Sequence, residues 1–148
     1  MTVYADNAAT TQMSDSVLKA MMPLLTDIYG NPSSLHSVGQ IAKEHLEAAR
    51  ETVAECIGAD PKEIYFTSGG SEADNQAIRS AAYIGARKGK KHIISSKFEH
   101  HAVLHTLDAL KKEGFTVTLL DVYSNGIVKP EDVANAITEE TCLVTIMT

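Results

Sequence analysis

From residue 64 onward, short apolar and partly β-branched runs alternate with longer amphipathic stretches. No other feature restricts the fold as strongly. The apolar runs fall at 64–67, 92–96, 115–120 and 142–147, and helical patterns over 71–88, 101–113 and 130–137 separate them. Strands that alternate with helices imply βαβ units, hence an α/β fold with a mostly parallel sheet flanked by helices. The helix at 130–137 opens with Pro130, Glu131 and Asp132, which suit a first turn.

The region before residue 64 has a helical period. Ser14 caps a predicted helix running to about residue 29, with Val17, Leu18, Met21, Leu24, Leu25 and Ile28 on one face and a kink expected at Pro23. A short extended start at residues 3–6 and a turn at Asn7-Ala8-Ala9-Thr10-Thr11 precede it. Gly30-Asn31-Pro32-Ser33-Ser34 is a loop by composition. A second helix is predicted over 38–57, its apolar face carrying Ile41, Leu46, Ala49, Val53 and Ile57, with Gly58 as the residue that ends it.

The 148 residues suffice for one ordinary domain, and 44% hydrophobic with 22% charged residues is the balance of a soluble globular protein. The net charge of -6 disfavours a nucleic-acid partner. Cys56 and Cys142 form no CxxC pair, and both are expected in buried packing. No signal peptide and no apolar run near the roughly 20 residues of a membrane span is visible, so a cytoplasmic protein with no membrane partner is expected.

The run at 64–67 stops at Ser68-Gly69-Gly70-Ser71, and a helix follows at once. Such a turn points unsatisfied N–H groups outward at the positive end of a helix dipole. The glycines admit a ligand close to the backbone, and the hydroxyls of Ser68 and Ser71 add donors. A single phosphate is one occupant that fits. An ordinary capped turn, with Ser71 as N-cap and Asp74 closing a weak capping box, is the other reading. Neither GxxxxGK[ST] nor GxGxxG is present, so a triphosphate or dinucleotide is not expected.

Glu99-His100-His101-Ala102-Val103 also follows an apolar run and opens a helix. An imidazole there could stack on a flat ring or move protons near neutral pH. It could equally be plain helix-start polarity. His101 and His105 stand four apart, the spacing of a metal pair, but no HExxH glutamate or third ligand accompanies them, and no metal is expected. His36, His45 and His92 read as solvated or hydrogen-bonded residues.

Four segments together resemble the N-terminal part of the cysteine desulfurases of the NifS/IscS type, which are fold-type I, class V aminotransferase-like pyridoxal-phosphate enzymes. They are YADNAATT from Tyr4, YGNPSSLH from Tyr29, FTSGGSEADN from Phe66 and EHHAVL from Glu99. The resemblance implies pyridoxal 5′-phosphate as cofactor, its phosphate held by the N–H groups of Gly70 and Ser71 and by the Ser71 hydroxyl. Relatives usually carry alanine then threonine at these two positions. It makes His100 the ring-stacking, proton-moving residue. It also sets Asn7, Ala8 and Thr10 on the substrate side, and Gly30 to Ser34 near a dimer contact and the site entrance.

The implied reaction converts L-cysteine to L-alanine and keeps the sulfur as an enzyme-bound persulfide. That sulfur goes to an acceptor or scaffold protein, for iron–sulfur cluster assembly or thiolation, and the full-length enzyme is a homodimer. The implied division is residues 1–14 as part of a small domain and 15–148 as the first half of the large cofactor domain. The Schiff-base lysine, the aspartate on the ring nitrogen and the persulfide cysteine lie beyond Thr148 in the family. The chain, which stops directly after an apolar run, is therefore expected to be the first part of a longer enzyme and inactive alone. The resemblance further implies that the strand at 64–67 does not neighbour the next three, so in this chain its backbone is expected to be exposed or differently paired. A selenocysteine lyase, another class V enzyme, or a non-catalytic phosphate-ligand or partner-binding module are the alternatives.

Overall fold

The first helix begins where Ser14, in extended conformation, accepts the Val17 N–H through its hydroxyl at 3.3 Å. The protein is described by a computed structural model that covers residues 2–147. Helix α1 (Asp15–Thr26) continues through Pro23, whose carbonyl accepts from both Asp27 and Ile28 at the C-terminus. Helix α2 (Ser37–Ile57) ends at Gly58, whose left-handed backbone (φ 68°) is the conformation that a C′ glycine supplies. A 3-10 turn (Pro61–Glu63) follows, closed by a capping box between Asp60 and Glu63.

The chain divides into two units, one up to Tyr65 and one from Phe66 on. In the first, Ile41, Val53 and Ile57 of α2 and Val17, Leu18, Leu24 and Leu25 of α1 are exposed. Cys56 is exposed as well, against the expectation of burial. The apolar stripes are present, but only Gly39, Ala42 and Ala54 of α2 are buried. Residues 3–6 form no strand and are exposed.

The second unit holds helix α3 (Gly70–Ala86), strand β1 (His92–Ser96), helix α4 (His101–Lys112), strand β2 (Thr116–Leu120), helix α5 (Pro130–Ala136) and strand β3 (Thr141–Val144). All three strands are parallel, in the order β2-β1-β3. Central β1 is buried along its whole length, as a strand flanked on both edges and covered on both faces must be. Its register with β2 runs from His92–Thr116 to Ser96–Leu120. Its register with β3 slips between His92 and Ile93, at Cys142, whose thiol donates to the His92 carbonyl at 3.4 Å.

The core joins Ile78 and Ala82 of α3, Ile93 of β1, Val103, Leu107 and Leu110 of α4, and Phe115. Gly85 lets α3 press onto β3: a Cβ at that position would land against the Cys142 Cβ and 2.9 Å from its Sγ.

The run at 64–67 forms no strand among the described residues. Ile64 is extended, but no neighbouring backbone completes a ladder beside it, and its carbonyl instead accepts from the Arg50 guanidinium. An apolar extended run becomes a strand only where another backbone lies about 4.8 Å away.

Candidate functional site

The glycine turn opens α3 with Gly69 as N-cap, in extended conformation. The Gly69 carbonyl accepts from Glu72 and Ala73 at 3.2 and 3.1 Å, which starts the helix. The N–H groups of Gly70 and Ser71 and the Ser71 hydroxyl donate to no acceptor among the described residues, and both residues are exposed. A Cβ added at Gly69 or Gly70 would meet nothing within 4 Å, so open space lies over this backbone. Ser71 is therefore not the N-cap, and Asp74 closes no capping box. Glu72 reaches back instead, its Oε2 accepting the Ser68 N–H at 2.7 Å and the Ser68 hydroxyl at 2.6 Å. Those bonds, the hydroxyl first, hold the Glu72 carboxyl below its ordinary value.

His100 is the N-cap of α4: its Nδ1 accepts the Ala102 N–H at 3.1 Å. An imidazole nitrogen that accepts cannot carry a proton, so the ring that makes this cap is neutral with its hydrogen on Nε2. His101 and His105 lie four apart on the same helix, ring centres 5.5 Å apart. Among the described residues no group of three or more metal-ligating side chains gathers, there or elsewhere.

The two features meet. Ser71 and His100 line one open depression of about 470 Å³ between the starts of α3 and α4, together with Asn75, Arg79, His105 and Thr106. Among the described residues no carboxylate lines it. Arg79 is kept firmly protonated by the Tyr83 hydroxyl, against some burial, with Glu113 adding 3.2 Å away. A larger depression of about 570 Å³ lies between the end of β2 and α5, lined by Asp121, Tyr123 and Asp132. It contains none of the motif residues, and its two carboxylates make it the poorer place for an anion.

Asn7, Ala8 and Thr10 belong to the first unit, on an exposed turn closed by Ala9 and Thr10 N–H donation to the Asp6 carbonyl. The Tyr4 hydroxyl braces it, 2.5 Å from Thr10 Oγ1. In the loop at 30–34, Asn31 Oδ1 accepts the Ser33 N–H at 2.9 Å.

The Aminotransferase class-V family model matches residues 3–148. The chain belongs to that family. It is 52% identical over 145 residues to the cysteine desulfurase IscS of Clostridium botulinum (strain Hall) and 48% identical to that of Methanosarcina thermophila, covering 98% of this chain and 36% of each relative. Among solved structures it resembles a NifS-like protein, with a TM-score of 0.92 and 42% identity over 99% of this chain and 40% of that one. It also resembles SspA in complex with cysteine, with a TM-score of 0.87 and 39% identity over 94% of this chain and 40% of that one. The chain thus spans well under half the length of these IscS/NifS-type relatives, and its fold is that of the matching part. No helix among the described residues is long and apolar enough to cross a membrane.

Glu72, Asn75 and Thr106 take parts that the sequence did not assign to them, although the first two lie in the FTSGGSEADN segment. For Thr106 a signal existed. It interrupts the apolar stripe formed by Val103, Leu107 and Leu110, and a buried hydroxyl on such a stripe needs a partner.

Proposed function

We propose that this chain is the cofactor-cradling N-terminal part of a pyridoxal-phosphate-dependent cysteine desulfurase. The longer enzyme would convert L-cysteine to L-alanine and hold the sulfur as a persulfide for an acceptor protein, serving iron–sulfur cluster or thiolation pathways. One observation carries the assignment to this site: Ser71, whose N–H and hydroxyl are unsatisfied at the start of α3, and His100 line the same depression, in which no described carboxylate takes part.

The donor set fits a phosphate monoester. The Gly70 and Ser71 N–H groups and the Ser71 hydroxyl would donate to its oxygens at the positive end of α3, with open space above both glycines for the approach. The His100 ring would lie on the pyridine face. With Nδ1 accepting from the Ala102 amide, the ring offers Nε2–H as a donor, and taking up a further proton would open that cap. When bound, pyridoxal phosphate supplies the electron sink for bond breaking at the substrate. Asn7, Ala8 and Thr10 are assigned to the substrate side. Residues 1–14 are assigned to the small domain and 15–148 to the large domain of a cytoplasmic homodimer.

The Schiff-base lysine and persulfide cysteine are assigned to the remainder of the longer enzyme, so this chain by itself should release no alanine from cysteine. Titration with pyridoxal phosphate, followed by absorbance, tests the site. Saturable uptake that Ser71→Ala weakens about tenfold or more is expected, the worth of one hydrogen bond to a charged group. Absence of uptake, or equal uptake by the Ser71→Ala variant, would overturn the reading.

A further inference from the structure

A line of hydrogen-bonded groups joins the glycine turn to His100. The Asn75 side chain, one turn into α3, donates from Nδ2 to the Ser71 carbonyl at 2.9 Å. A carbonyl only accepts, so this contact fixes the amide orientation and turns Oδ1 towards α4. There Oδ1 lies 2.6 Å from the Thr106 hydroxyl, whose residue is 2% exposed. The same hydroxyl lies 2.8 Å from the Ala102 carbonyl. It has one proton for two acceptors, and the shorter contact is the one to Asn75. The Ala102 N–H, finally, donates to His100 Nδ1.

We propose that Asn75 and Thr106 form a positioning pair that holds the phosphate-binding amides of Gly70 and Ser71 at a fixed distance and angle from the His100 ring. The inference rests on the functional reading above and assigns that site two further residues. A cradle on one helix and a ring on the next must not slide relative to each other if one rigid ligand is to touch both. Apolar packing between α3 and α4, through Ile78, Ala82, Val103 and Leu107, is not directional and tolerates such sliding. The amide–hydroxyl bond is directional and does not, because displacement leaves Asn75 Oδ1 without its donor, the hydroxyl turning to the Ala102 carbonyl alone.

The test measures pyridoxal phosphate affinity of Thr106→Val, Thr106→Ser, Asn75→Ala and the Thr106→Val, Asn75→Ala double variant, with amide NMR shifts of Gly70 and Ser71 on adding the cofactor. Thr106→Val keeps the shape and removes the hydroxyl. It should weaken binding about three- to tenfold and reduce the Gly70 and Ser71 shift changes. Thr106→Ser should restore both. Asn75→Ala, which also removes the bond to the Ser71 carbonyl, should cost at least as much as Thr106→Val, and the double variant should lose no more than Asn75→Ala alone, because the shared bond is absent in both. Additive losses, unaltered affinity in both single variants, or equal losses in Thr106→Ser and Thr106→Val would overturn the proposal. If the unsubstituted chain takes up no cofactor, the functional reading fails first and the positioning role fails with it.

Discussion

Ser68 donates both its backbone N–H and its hydroxyl to one oxygen of Glu72, which ties the glycine turn to the first turn of α3 from outside the helix. The bonds favour the ionised carboxylate and hold its titration below the ordinary 4.5. A depressed folded value means that the contribution is fully present above 4.5 and is lost as pH falls through the lower folded value. The Ser68 amide, whose N–H that carboxylate accepts, should therefore show an acid-dependent increase in exchange, relative to its intrinsic rate, as pH falls below about 4.5. In Glu72→Gln that acid-dependent increase should be absent. Identical acid profiles for the two proteins would show that the carboxylate does not brace the turn.

His100 has two separable duties, since its Nδ1 caps α4 while its ring is assigned to the cofactor. Asparagine caps as well as any residue, so His100→Asn should keep stability within about 0.5 kcal/mol, whereas His100→Ala should cost about 1 kcal/mol. Both should lose most of the pyridoxal phosphate affinity. Thermal melts and cofactor titrations on the two variants separate the duties. Full cofactor affinity in His100→Asn would remove the ring from the site.

Gly85→Ala sets two effects against each other. Alanine gains about 1 kcal/mol of helix propensity. Its Cβ, however, would press on Cys142 and come within 3.2 Å of the Lys90 carbonyl, in a place where α3 is buried against β3. Overpacking of this kind costs about 1–3 kcal/mol, so a net destabilisation of about 1 kcal/mol is expected in urea denaturation. A stabilised variant would mean that α3 can lift off β3 without loss.

The two thiols should react in order. Cys56 is exposed, whereas burial pushes the Cys142 thiol up and withholds its reactive thiolate. A thiol reagent at neutral pH should label Cys56 first, and mass spectrometry of the singly modified chain should find the label there.

The parts legible in the sequence are those set by local chemistry. Ser14 and Gly58 mark helix ends because a hydroxyl acceptor and a left-handed glycine are local requirements, and the structure has a cap at each. The three strands at 92–96, 116–120 and 141–144 were visible as β-branched runs between helices. What failed needed a partner from elsewhere. Cys56 and Ile57 sit at the end of an apolar α2 stripe that stays exposed, whereas the 64–67 run is, as expected of a strand without its neighbours, differently paired. A pattern specifies a face and says nothing of its cover. At the site, Ser71 and His100 were legible as single motifs, while the Asn75–Thr106 bond joins residues 31 apart and appears only once α3 packs on α4.

His92 spans the sheet. Its Nδ1 lies 2.8 Å from Thr141 Oγ1 on β3 and its Nε2 2.9 Å from Thr118 Oγ1 on β2, so one buried ring on β1 pairs with both neighbours. A hydroxyl can give or take a hydrogen bond, so either neutral tautomer satisfies the set. His92→Leu would keep the bulk and remove both bonds, with unequal consequences. Thr141 Oγ1 would still accept the Thr138 N–H at 2.8 Å, whereas Thr118 Oγ1 would be left with no partner among the described residues. The expected cost is about 1–2 kcal/mol, part of it from the orphaned hydroxyl of half-buried Thr118. Adding Thr118→Val should then recover about 1 kcal/mol, because an apolar pair of similar shape has nothing left to satisfy. Urea midpoints of the single and double variants give the comparison. A double variant no more stable than His92→Leu would mean that the loss comes from packing around the ring, not from the hydroxyl it leaves behind.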